Sequence, residues 1–174
     1  MRAYLLDFDL LQFVEGDSPV DNIGMRQVLP EGLLSLLTLP ILKDSAGNYL
    51  FSTKEHINNI NKNIRVEEKD RTYYEYLQNK TNLWDFVSEE EEEKYLKDLE
   101  LQATTFIRWG LFFSVLLREK LDEITEAKFK VIFIFDIFRT VDSVIYFHAI
   151  RENERILSDK FEDEPQVQGI MTLG

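Results

Sequence analysis

The chain has 174 residues, 44% of them hydrophobic, with thirteen Phe, seven Tyr and two Trp, so it carries enough apolar material for a self-sufficient core and too much for a disordered chain. It holds 32 Asp+Glu against 20 Lys+Arg, a net charge of −12, which favours cationic partners and repels nucleic acid and anionic membrane surfaces. With no Cys and two His, His56 and His148, it lacks thiol chemistry, disulfides and any zinc-ligand spacing.

Taken in chain order, residues 2–15 alternate imperfectly. Tyr4, Leu6, Phe8 and Leu10 fall on one side, and Asp7 and Asp9 fall on the other with Leu5 and Leu11. That period of two predicts a first strand. Asp7 and Asp9 also break the apolar run as no signal peptide would, so the cytoplasm is the expected compartment. Leu33 to Leu42 reads as a helical turn leading past Pro40 into an edge strand. Asp44-Ser45-Ala46-Gly47-Asn48 between Ile41-Leu42 and Tyr49-Leu50-Phe51 predicts a hairpin. Ile57, Ile60 and Ile64 then recur at helical spacing, and the aromatics Tyr73, Tyr74, Tyr76 and Trp84 suggest a short helix or a packed loop.

Ser88 followed by Glu91 is a capping-box pattern, and Glu89 to Glu93 sit where the positive end of a helix dipole favours anions. Tyr95, Leu96, Leu99, Ala103, Phe106, Ile107 and Gly110 continue at a 3.6-residue period, which predicts one long helix to about Leu121, with Gly110 as a kink or a point of close packing. The apolar run Ala103 to Leu117 contains Arg108 and falls short of the ~20 apolar residues of a membrane span, so it reads as a buried central helix.

Phe129 to Phe138 is β-branched and aromatic on both faces, which predicts a central strand. Val144 to Ile150 predicts its neighbour and Gln166 to Leu173 a last strand. Leu121 to Lys128 is too short for a crossover helix. The expected fold is therefore α+β, one globular domain over residues 1–174. A mostly antiparallel sheet takes strands from both chain ends, and helices from the middle of the chain pack on one face.

Asp7 and Asp9, at i and i+2 of a strand, point to one side and suit a shared divalent cation, with Asp136 in the central strand a candidate third ligand. The segment resembles the opening Asp-x-Asp of phosphatases of the haloacid dehalogenase type. That resemblance is confined to a few residues, and Leu10-Leu11-Gln12 stands where those enzymes carry a Gly-Thr loop. It implies a metal-dependent hydrolase, whose bland counterpart is a pair of solvated carboxylates on a strand's outer face. His148 has no sequence-evident nucleophile to serve, and no phosphate-binding Gly motif exists among seven Gly.

Three acidic groups remain: Glu89 to Glu93, explained by the helix start they occupy; Glu67, Glu68 and Asp70; and Glu162, Asp163 and Glu164 beside Pro165, with no helix dipole to serve. The last two are the expected partner-binding residues, their bland reading being a solvated surface. The expectation is an acidic binding protein, not an enzyme, with no cofactor, no direct nucleic-acid contact and no membrane contact. Its partner would be a basic protein such as a toxin or nucleic-acid enzyme, neutralised in the manner of an immunity protein or a phage inhibitor. The alternative is the hydrolase built on Asp7, Asp9 and Asp136.

Overall fold

The structure, a computed structural model, describes residues 28–53, 71–135, 143–152 and, for the backbone, 169–173. Its first helix, α1 (Glu31–Thr38), buries Leu33 and Leu37 one turn apart and ends before Pro40. A small hairpin of β1 (Ile41–Lys43) and β2 (Tyr49–Phe51) follows, in antiparallel register with Ile41 opposite Phe51. Its turn is set by Asp44, whose carboxylate accepts the N–H groups of Ala46 at 2.9 Å and Asn48 at 2.8 Å, and by Gly47, whose φ of 84° suits a residue without Cβ.

Next come α2 (Arg71–Gln78), the two-residue β3 (Thr81–Asn82) and a 3₁₀ turn over Leu83–Phe86. The expected capping box is present. Ser88 Oγ accepts the Glu91 N–H and the Glu91 carboxylate accepts the Ser88 N–H, opening α3 (Glu89–Lys97). The long helix expected from there to Leu121 is divided. Asp98 leaves helical geometry at φ −129° and ψ 88°, ends α3, and uses its carboxylate to accept the Leu101 N–H at 3.0 Å, starting α4 (Leu99–Asp122). A carboxylate cap after Lys97 overrode the continuous apolar period, because it satisfies N–H groups that a helix start leaves open.

Strands β4 (Phe129–Phe135), β5 (Val144–Ala149) and β6 (Gly169–Leu173) join β3 in an antiparallel sheet of order β3-β5-β4-β6. All of its pairings are antiparallel, and β4 lies between two neighbours as its two apolar faces predict. The α+β expectation therefore holds, as helices of the middle chain pack against a sheet whose last strand comes from the C-terminal end.

Register places Phe129, Val131, Phe133, Phe135, Ile145, Phe147 and Ala149 on one face, and all are buried in the core with α4. Gly110 is a point of close approach between helix and sheet. A Cβ built there would fall 2.0 Å from Phe133 Cζ, so no other residue fits without displacing the ring. The expected role of Gly110 as a packing point holds, while the chain's helical break lies at Asp98. The far end of α4 is tied to the sheet by Arg118, which donates to the Phe129 carbonyl and pairs with Asp122 at 2.6 Å.

At the other end of α4, an aromatic cluster joins the elements before the sheet. Phe106 stacks on Trp109 with ring centroids 5.5 Å apart and meets Trp84 and Tyr95 edge-on. Trp109 Nε1 donates to the Val28 carbonyl at 3.1 Å, so its polar edge is satisfied inside the core. Among the described residues, no helix is long and apolar enough to cross a membrane.

Candidate functional site

The densest polar arrangement in the described structure is a buried junction built on α2. Thr72 and Glu75 of that helix and Asn79 just past its end, spaced by three and then four residues, are all buried. β3 pairs with β5 only at Ile145 and Val144, so beyond Ile145 that edge of β5 needs other partners. Side chains of α2 and of the residue that follows it supply them. Asn79 Nδ2 donates to the Phe147 carbonyl at 3.2 Å, and Glu75 Oε2 accepts the Ala149 N–H at 2.7 Å.

The same two side chains serve the outer edge of β2. Glu75 Oε1 accepts the Tyr49 N–H at 2.7 Å, Asn79 Oδ1 accepts the Phe51 N–H at 3.3 Å, and Asn79 Nδ2 donates to the Tyr49 carbonyl at 2.8 Å. A helix thus replaces a strand between two sheets. The rings beneath agree with that geometry: Tyr49 meets Phe129 and Phe51 meets Phe147, each edge-on at 5.0 Å.

Arg151 closes the junction. Its guanidinium contacts both Glu75 oxygens, at 2.6 and 3.0 Å, and donates to Thr72 Oγ1 at 3.2 Å and to the Gly47 carbonyl at 3.0 Å. The Glu75 side chain is wholly buried, and each of its oxygens accepts one backbone N–H and one guanidinium N–H. A carboxylate so engaged has no lone pair left to hold a metal or take a substrate proton, and its role is to join the two sheets.

On the face of β5 away from Ile145 and Phe147, Tyr146 stacks on Tyr76 of α2 at 4.0 Å, and Tyr76 stacks on Tyr73 at 6.2 Å. Of the aromatics singled out in the sequence, Tyr73 is exposed, and Tyr74, Tyr76 and Trp84 are half-buried. Burial, with the Asp44 carboxylate as a lesser cause, pushes the Tyr74 hydroxyl above its ordinary value. His148 is buried in β5, in register with Lys130 of β4.

The outer surface of α3 is the contrasting feature. Glu89, Glu90, Glu92 and Glu93 are exposed, as are Asp98 and Glu100 just beyond the helix. Glu91 alone in the group is committed to the cap. Its hydrogen bonds from Ser88 hold its carboxyl below the ordinary carboxylate range. Tyr95, buried beneath, is pushed up by desolvation first and by the nearby Glu91 charge second. Leu96 and Leu99, which the unbroken period had placed on the core stripe, are instead exposed on either side of Asp98.

The residues expected to bind a partner, Glu67, Glu68, Asp70, Glu162, Asp163 and Glu164, lie outside the described residues, as do Asp7, Asp9, Asp136, His56 and the expected first strand. Among the described residues, no group of three or more His, Asp or Glu is arranged to hold a metal ion. The sequence reading missed Glu75, Asn79 and Arg151. Its aromatics drew attention to α2, but the signal was the polar stripe Thr72-Glu75-Asn79 at helical spacing, opposite a lone Arg after an apolar strand.

A family model described as the uncharacterized protein PM0498 family matches residues 18–173, and the chain belongs to that family. No curated protein and no solved structure matches it.

Proposed function

We propose that this protein is an acidic binding protein that neutralises a macromolecular partner, most concretely an immunity protein that holds a cognate basic toxin of the nuclease type inactive. The observation that carries this reading is the charge of −12, a surplus that includes the exposed carboxylates of α3. Proteins that act on nucleic acid bind a polyanion and so present cationic clefts, and an acidic surface can occupy such a cleft by matching the charge pattern of phosphates. Complementary fields of this kind speed association and select the right partner more than they deepen affinity.

The test is affinity capture from the source cell at low salt, followed by kinetics with the purified partner. The expected result is a stoichiometric basic protein whose activity is lost in the complex and whose association rate falls steeply with added salt. A partner that associates equally fast at low and high salt overturns the electrostatic reading.

A further inference from the structure

We propose that the α3–α4 break is the docking surface for that partner, and that its occupant is a basic protein presenting an apolar contact within a cationic surface. This rests on the binding reading above and gives it a location. Leu99 and Leu96, 62% and 59% exposed, are the most exposed large hydrophobics among the described residues. Single apolar residues on a surface are routine and need no explanation. These two differ in how they come to be exposed. The apolar period of the chain runs through both, and the fold interrupts it between them at Asp98, with no Gly or Pro to force the break.

The surroundings choose the occupant. Glu92 and Glu93 lie one turn before Leu96 on α3, and Asp98 and Glu100 flank Leu99, all of them exposed. Lys97 and Glu93 pair at 2.5 Å and offset each other, which leaves Glu92, Asp98 and Glu100 against the single cation Lys94. Apolar anchors within a charged rim are the common anatomy of a protein interface. A second copy of this chain would set acid against acid, and nucleic acid or an anionic membrane would be repelled. A basic protein surface with an apolar contact satisfies both features.

The probe is a fluorescein-labelled amphipathic helical peptide of leucine and lysine, titrated by anisotropy into the full chain at several salt concentrations. Wild type should bind it with a salt-dependent affinity. The double variant Leu96→Ser/Leu99→Ser should bind about tenfold or more weakly at each salt concentration with an unchanged salt slope, and should melt like wild type because both side chains are exposed. Glu92→Gln/Glu93→Gln should flatten the salt slope. Amide shifts on peptide addition should centre on residues 92–101.

Full-strength binding by the leucine variant, or amide shifts centred elsewhere, overturns the docking surface and leaves the binding reading standing. Wild type that fails to bind the peptide in a salt-dependent way also overturns the docking surface, whereas the binding reading falls only with salt-independent association of the captured partner. A dimer of the free chain that the leucine substitutions abolish assigns the surface to a second copy, and overturns the proposal in that way.

Discussion

Two ion pairs of nearly equal length show how differently this molecule uses its carboxylates. Glu75 meets Arg151 at 2.6 Å with side-chain exposures of 0% and 13%, and Glu93 meets Lys97 at 2.5 Å with exposures of 77% and 72%. Distance does not separate them; water does. The exposed pair is screened and exchanges its partner's charge for solvent at little cost, so it contributes almost nothing to folding. The buried pair has exchanged hydration for two backbone N–H groups and a bidentate guanidinium, so that removing either member strands the other in a medium that cannot solvate it. Glu75 of α2 therefore belongs to the fold, whereas Glu89, Glu90 and Glu92 of α3 face water.

The sharpest way to break that contrast is Glu75→Ala. It leaves Arg151 without its counter-ion and the Tyr49 and Ala149 N–H groups without an acceptor. The expected loss is about 3–5 kcal/mol by chemical denaturation. A loss below about 1 kcal/mol would show that water replaces the carboxylate and that the junction is not what holds β2 to β5.

Gly110→Ala tests the apolar counterpart of the same core. The added methyl meets the Phe133 ring, and overpacking of this kind costs about 1–3 kcal/mol in a thermal or denaturant melt. Ser88→Ala removes the α3 cap and should cost about 1 kcal/mol, read in the same melt.

The cap also has a pH signature. Because the Glu91 carboxyl sits below its unfolded value, it contributes stability that is present above the ordinary carboxylate range and is lost as pH falls through its lower, folded pKa. Ser88→Ala should therefore reduce the acid sensitivity of the melting temperature in that window, and an unchanged pH profile would detach Glu91 from the cap. Last and smallest, Glu93→Gln should stay within about 0.5 kcal/mol of wild type.

Local chemistry was legible wherever a few consecutive residues decide the outcome. The hairpin turn at Asp44–Asn48 needs only an Asp that can bond back to its own backbone and a Gly that tolerates positive φ. The capping box at Ser88 and Glu91 is equally self-contained. β4 announced itself as a central strand because only burial on two faces explains apolar residues in both registers. The break at Asp98 was less visible, since an Asp among helix formers is also compatible with an uninterrupted helix, and periodicity alone carries Leu96 and Leu99 into the core stripe.

The sequence by itself determined the acid excess, the hairpin, the capped helix start and the two apolar faces of β4. Each follows from composition or from contacts a few residues apart. Only the tertiary structure decided that Glu75 and Asn79 would serve as the missing strand between β2 and β5, and that Arg151 would seal them. Those partners stand 26, 28, 68, 74 and 76 residues apart along the chain, and the need for them arises only once two strand edges have been brought together with their N–H and C=O groups cut off from water.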